Sequence, residues 1–225
     1  MSRETMGEGL VDHAYDRLRE EIVQLSLPPG AVVSESALAS RYGVGKAGVR
    51  GALARLRREH LITAVPRQGH RVADVTISDV EEVFDLRLSL ETLAAIRACG
   101  RVDAERLRGL DAVCAAYQPN EPASRTVFLR ANREFHLAVA EASGNRRLVD
   151  ILATLLDHAE RAQHIGLAHG QFGDTLTHQH AELVEALAAN RPAGAERWVR
   201  QALEGFRDQL IDHLRSTQAI RTAPL

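Results

Sequence analysis

The sequence predicts a mainly α protein in two parts: a winged helix-turn-helix over residues 1–75, then an all-helical bundle of about six helices over 76–225. Three observations lead there. Apolar residues recur at spacings of three and four along most of the chain, the period of a helix with one buried face. A strand-like stretch with a Pro-to-Gly turn at its centre stands at 61–73. Each helical segment stops at Gly, Pro or Asn, residues that break or cap helices.

In the first part, Val11, Ala14, Tyr15, Leu18, Ile22 and Leu25 share a helical face, and Leu27-Pro28-Pro29-Gly30 ends that helix. After the extended Ala31-Val32-Val33, Ser34 caps a short helix over 35–42, and Gly43 supplies the left-handed residue that closes it. Val44-Gly45 turns into a third helix over 46–60, with Val49, Ala52, Leu53 and Leu56 inward and Lys46, Arg50 and Arg57 outward. Two short helices joined by a tight glycine-containing turn, the second with cations at its start, form a helix-turn-helix that can enter a major groove. Residues 61–65 and 70–73, joined by Pro66-Arg67-Gln68-Gly69, read as a two-stranded wing. Its tip of Arg67, Gln68, Gly69 and His70 suits a minor groove, where Arg is attracted by negative potential and Gly lets the backbone approach. Plain structural cover is the other reading of that hairpin.

In the second part, Thr76-Ile77-Ser78-Asp79 carries a helix-cap signal, and helices are predicted over 79–98, 103–117, 123–142, 146–166, 174–189 and 192–216. Gly100, Pro119-Asn120-Glu121-Pro122, Ser143-Gly144-Asn145, Gly170 to Gly173 and Asn190-Arg191-Pro192 separate them. The stretch from Gly166 to Gly173, with Thr177 beyond it, is expected to form a mobile loop.

Composition narrows the class. With 45% hydrophobic and 26% charged residues the chain is globular, and no apolar run of about 18 residues is present to span a bilayer. The first twenty residues lack the continuous apolar core of a secretory signal, and Cys99 and Cys114 sit in no CxxC, so a reducing cytoplasm is expected. Net charge is -2, yet Arg41, Lys46, Arg50, Arg55, Arg57, Arg58, Arg67 and Arg71 face a single acid, Glu59, between 41 and 71. That stretch carries +7 and the remainder -9, a compact basic element inside an acidic protein. Alone, such a run could be a solvated helix face; inside a helix-turn-helix it reads as a nucleic-acid surface.

The segments Tyr15-Asp16-Arg17-Leu18-Arg19, Pro28-Pro29-Gly30, Ser34-Glu35-Ser36-Ala37-Leu38-Ala39 and Gly43 to Leu53 resemble the winged helix of GntR-family bacterial transcription regulators. Where that family usually writes GVSRTPVREAL, this chain keeps Val44, Val49, Arg50, Ala52 and Leu53 but places Gly45, Lys46, Ala47, Gly48 and Gly51 at the other positions. The hydroxyl at the Gly45 position is lost, and Gly48 and Gly51 each weaken a helix by roughly 1 kcal/mol relative to Ala. Residues 79–91, Asn132-Arg133-Glu134-Phe135-His136, Ala142-Ser143-Gly144-Asn145 and 180–187 resemble the FCD ligand-binding domain of the fatty-acid-regulator-like branch, with a helix count nearer its vanillate-regulator-like subgroup.

The resemblance implies a dimeric regulator that binds an inverted-repeat operator in double-stranded DNA and is released by a small effector such as an organic acid. Arg50 and Lys46 are expected to carry readout or phosphate anchoring, supported by Arg41, Arg67, Gly69 and His70. Arg87 is the implied anion partner in the effector pocket, with a helix pair to Glu91 as the alternative, and Asn132, His136, His158 and His180 line the implied site. Many such domains hold a divalent metal through an Asp, a His four residues on, and one His from each of two further helices. Here those positions are Asn132, His136, His180 and Ala202, so His136 and His180 form a weak or degenerate metal site; both read first as hydrogen-bonded histidines, with a bound divalent metal as the lesser alternative and no other cofactor expected. His158 falls on a stripe with Ile151, Leu155 and Ala162 and is expected to point inward, whereas His178 is expected in solvent. A helical-bundle enzyme or metal sensor using the His136/His180 pocket is the rival, but no GxSxG, HExxH or phosphate-binding glycine loop supports catalysis. A constitutive architectural DNA binder would leave the acidic bundle without a task.

Overall fold

The computed structural model describes residues 3–118, 121–168 and 180–222, with side chains over 9–118, 121–166 and 180–215. Two compact units divide at residues 75 and 76.

The first unit runs α1 (Arg3–Val23), β1 (Val32–Val33), α2 (Glu35–Tyr42), α3 (Lys46–Arg58), β2 (Ile62–Val65) and β3 (Gly69–Val72). Its core forms where Ala14, Leu18 and Ile22 of α1 meet Val49, Leu53 and Leu56 of α3, closed by Leu61, Ile62 and Val72. The helix ends follow the sequence chemistry. Ser34 accepts the Ala37 amide at 3.2 Å, and Gly43 takes a left-handed φ of 65° and bonds back to the Ala39 carbonyl. Gly45 caps α3 without a side-chain bond.

Three expectations change here. Helix α1 begins at Arg3 rather than Val11, and it ends at Val23 because Leu25 already adopts a left-handed φ of 60°. Helix α3 stops at Arg58, where His60 turns left-handed at 58°. The two-stranded wing expected from sequence is extended to a three-stranded antiparallel sheet of order β1-β3-β2, with β3 at its centre. Val32-Val33 supplies the third strand, pairing Val33 with His70, while Val65 pairs with Gly69.

The second unit contains α4 (Ile77–Ala98), α5 (Ala104–Ala115), α6 (Pro122–Ala142), α7 (Arg146–Ala168), α8 (Ala181–Ala188) and α9 (Pro192–Thr222). Helix α4 opens on a full capping box between Thr76 and Asp79. It is the central helix, packed against α9, α7 and α6. Leu148, Leu152 and Leu156 of α7 pack on Ala94 of α4 and Ala140 of α6. The buried face of α7 therefore runs through 148, 152, 155, 156, 159 and 162, and Ile151 lies outside it at 52% exposed. The expected stripe through Ile151 and His158 is corrected accordingly: His158, on the flank of that face, is half-buried. The loop expected from Gly166 to Gly173 is corrected at its start, because residues 166–168 continue α7; its remainder from His169, Thr177, His178 and the first turns of the helix expected at 174–189 lie outside the described residues.

Candidate functional site

Helix α3 of the first unit presents an exposed face of Lys46, Arg50, Ala54 and Arg57, successive positions at helical spacing. Lys46, in its first turn, has no ion-pair partner among the described residues. Arg50 is held: its Nε donates to Glu35 Oε2 at 2.8 Å, which ties α3 to the first turn of α2 and fixes the guanidinium at the helix surface. Arg41 lies 3.1 Å from Glu21. Two of the expected contact residues thus carry an acidic partner of their own, an exchangeable one since the arginines are more than half exposed.

Of the two glycines of α3, Gly51 has a packing reason that the sequence conceals and Gly48 has only ordinary contacts. A Cβ at Gly51 would stand 3.0 Å from both Cγ atoms of Val11, and one at Gly48 would stand 3.5 Å from the Leu10 carbonyl oxygen. Helix α1 crosses α3 there at close range. Further along the crossing, Arg55 lies over the Tyr15 ring at 3.6 Å from its centroid while Tyr15 Oη donates to Glu59 Oε2 at 2.8 Å. Burial first, then the Glu59 bond, push the Tyr15 hydroxyl above its ordinary pKa, so it stays a donor.

On the wing, Pro66, Arg67 and Gln68 form the exposed tip. Gly69 and His70 belong to β3 rather than to the tip. Gly69 has φ +106°, and a Cβ there would lie 2.6 Å from the Val33 carbonyl oxygen, so the glycine serves the β1–β3 approach. His70 is half-buried in the sheet. Arg67, with a left-handed φ of 64°, and Arg71, exposed on β3, are the cations the wing offers.

In the second unit a small cavity with room for about one water molecule is lined by Glu91, Ala94, His136, Val139, Trp198 and Ala202, with Leu183, Val199 and Leu203 completing its wall. Arg87 donates from Nε to Glu91 Oε1 at 2.7 Å, with both side chains at most 5% exposed, and its guanidinium lies over Phe84. On the other side, His136 Nδ1 is 2.6 Å from Glu91 Oε2. Burial alone would raise the Glu91 carboxyl, but Arg87 and then His136 outweigh it and hold its pKa at about 2. An ionised carboxylate only accepts, so His136 Nδ1 carries the proton. Of the two expectations for Arg87, the structure shows the helix pair: its charge is matched by Glu91, and it is not among the residues that line the cavity.

His180, fully buried at the cap of α8, accepts no solvent. Its backbone amide donates to Asp111 Oδ1 at 2.8 Å and its Nδ1 lies 3.0 Å from the same oxygen, so the ring is anchored to α5. Phe135 stacks on it at 4.1 Å, and His136 meets it edge-on at 5.5 Å. Burial, the largest influence, lowers the His180 pKa and keeps the ring neutral, which leaves a deprotonated Nε2 buried with no hydrogen-bond partner.

The four metal positions do not make a complete ligand set in this geometry. Ala202 and His136 share the cavity, and Asn132 is buried one turn before His136. Asn132 contributes a neutral oxygen and Ala202 none, and among the described residues no group of three or more His, Cys, Asp or Glu side chains is arranged to hold an ion. The residues present do not fit a zinc centre. Sequence reasoning missed Asp111, which lies 69 positions from His180 and shares no local pattern with it, and undervalued Glu91, whose spacing to Arg87 was visible.

A winged helix-turn-helix with a cationic reading face, followed by a helical unit that encloses a small cavity, defines the class of DNA-binding transcription regulators. Comparison with known proteins gives the family: residues 10–72 match the gntR family of bacterial regulatory proteins and residues 82–205 match the FCD domain, and the chain belongs to the GntR regulators that carry an FCD domain. It is 28% identical over 199 residues to the HTH-type transcriptional repressor GlaR of Escherichia coli (strain K12), covering 84% of this chain and 90% of that one. It is 25% identical over 187 residues to the HTH-type transcriptional regulator YdhC of Bacillus subtilis (strain 168), covering 82% and 84%. A crystal structure of a GntR regulator from Rhodococcus sp. RHA1 shares the fold, with a TM-score of 0.75, 21% identity and coverage of 90% and 97%. The chain is a transcriptional regulator, not an enzyme. No described helix is long and apolar enough to cross a membrane.

Proposed function

We propose that this protein is a cytoplasmic, metabolite-responsive repressor that binds an inverted-repeat operator in double-stranded DNA as a homodimer. Residues 1–75 contact DNA; residues 76–225 bind the effector and pair the protomers. The observation that carries this is the row Lys46, Arg50 and Arg57 along the open face of α3, beside a wing that offers Arg67 and Arg71. Two-fold pairing doubles the base contacts of a single small reading helix, which alone gives little specificity. Repression is supported by two relatives whose names describe them as repressors, GlaR and RspR. Six described helices in the second unit favour the vanillate-regulator-like subgroup of the fatty-acid-regulator-like branch.

The effector is a small molecule at the His136 and Glu91 cavity. Its polar end meets His136 and Glu91, and its body meets Trp198, Leu183 and Leu203. An organic acid, the class the resemblance implies, would have to take the place of the Glu91 carboxylate at His136, because Arg87 is already neutralised. Binding also requires the cavity walls to part, since the space holds about one water.

Selection of binding fragments from random double-stranded DNA by the purified protein, followed by release with candidate metabolites, tests the reading. An inverted repeat is expected. Arg50→Ala should weaken it by about 1–3 kcal/mol with relaxed preference at one base pair per half-site. Recovery of no enriched sequence would overturn the proposal.

A further inference from the structure

Helix α4 buries Phe84, Arg87, Glu91, Ala94, Ala95 and Ala98 against its neighbours. Its opposite face is exposed and unusually apolar for a surface: Leu86 is 53% exposed, Leu93 40% and Ile96 37%. With 3.6 residues per turn, Glu82, Leu86, Ser89, Leu93 and Arg97 fall within an arc of about 80°. Their steps of four, three, four and four continue one seam, the pattern by which one helix packs along another. Isolated exposed leucines need no explanation, but a seam of them along the central helix of a unit does.

The seam is complementary to itself. If two copies of α4 cross antiparallel about a two-fold axis between positions 89 and 90, Leu86 of each faces Leu93 of the other. The same register brings Glu82, in the second turn, opposite Arg97, in the last. Arg97 has no ion-pair partner among the described residues, and Glu82 holds only a weak 3.3 Å bond from Ser78. At the crossing point stands Ser89, small enough for close approach, with its hydroxyl already donating to the Asp85 carbonyl at 3.1 Å. Covering it therefore leaves no polar group unpaired. Antiparallel helices also place opposite dipole ends together.

From this we infer that the Glu82–Arg97 face of α4 is the surface by which two copies of the chain pair, antiparallel and isologous, with Leu86 on Leu93 and Glu82 on Arg97. This rests on the homodimer reading above and specifies where and in which register it forms.

Sedimentation equilibrium on the full chain tests it. The wild type is expected to dimerise at micromolar concentration. Leu86→Glu with Leu93→Glu, which sets carboxylates face to face on an already exposed surface, should raise the dissociation constant at least a hundredfold, with helical content unchanged. Glu82→Arg and Arg97→Glu should each weaken the dimer about tenfold, and the two together should restore it, because both symmetry-related pairs are then reversed intact. A monomeric wild type would overturn both the homodimer and this face. A wild-type dimer that the leucine substitutions leave intact would overturn the face alone. Leucine sensitivity without rescue by the double charge reversal would overturn the antiparallel register.

Discussion

At the level of single residues, the Glu91 carboxylate is the group on which the second unit's polar core turns. It joins Arg87 on its own helix to His136 on α6, and it is ionised while buried. Removing one partner of a buried charge pair leaves the other uncompensated, so Glu91→Gln should destabilise the unit by about 3–5 kcal/mol at neutral pH. The sign of the pH dependence follows from a folded pKa of about 2 against an ordinary 4.5. The carboxylate's contribution is fully present above about 4.5 and is lost as pH falls from there through 2, because the unfolded chain takes up the proton first. Asp111, also held low by His180, and other carboxylates titrate in the same window, so the signature is the difference between the two proteins: their urea unfolding free energies should converge by up to about 1.4 kcal/mol per pH unit as pH falls through it. Parallel curves would mean that Glu91 is not held ionised. His180 works in the same direction at higher pH: its lowered pKa means stability declines as pH drops below about 6.5, where the unfolded ring protonates and the buried one resists.

At the level of elements, α3 shows how local chemistry and packing part company. As an isolated helix it is weakened by two glycines, and nothing in its own sequence explains them. For Gly51 the reason lies in α1, whose Val11 lies across that surface; Gly48, with Leu10 at ordinary contact distance, has no such reason. The two positions should therefore respond differently. Gly48→Ala gains helix propensity with its nearest neighbour at 3.5 Å, an ordinary contact, and should stabilise the first unit by about 0.5–1 kcal/mol. Gly51→Ala places a methyl 3.0 Å from two Val11 carbons, so the gain is offset; thermal melts in which Gly51→Ala is the more stable of the two would refute the close crossing. The same division decides what could be read beforehand. Caps at Ser34, Gly43 and Thr76 and the six helices of the second unit are encoded in nearby residues and were legible. The β1 strand was not, because two residues acquire strand character only by pairing with β3, nearly forty positions away. In the candidate site, the spacing of Asn132 to His136 was visible, whereas the anchoring of His180 by Asp111 joins α5 to α8 and leaves no sequence pattern. That anchoring has a use: a ring fixed at Nδ1 offers Nε2 in the state a metal requires. Asn132→Asp with Ala202→His should therefore produce a site across α6, α8 and α9 that binds zinc far more tightly than the parent. Calorimetric titration should show one equivalent, and a melting temperature that rises with occupancy. No binding would mean that position 202 does not face His136 and His180 as a ligand must.

At the level of the whole molecule, a net charge of -2 hides a stretch of formal charge +7 between residues 41 and 71, partly offset where Glu21, Glu35 and Asp12 pair with Arg41, Arg50 and Arg55, and the local balance is what bears on DNA. Each cation that meets a phosphate releases condensed counterions, so the logarithm of the binding constant falls with the logarithm of salt at about 0.9 per contact. Lys46 is the cleanest probe of that law here. It stands exposed in the first turn of α3 with no ion-pair partner among the described residues, whereas the Arg50 guanidinium must exchange Glu35 for the DNA and so contributes a mixed response. Lys46→Ala should reduce the salt slope, measured by fluorescence anisotropy between 50 and 200 mM salt, by about 0.9 for each copy that reaches the operator. For the proposed dimer on an inverted repeat the loss is about 1.8. A loss near 0.9 would mean that one reading helix engages DNA at a time, and an unchanged slope would place the N-terminal end of α3 away from the phosphates altogether.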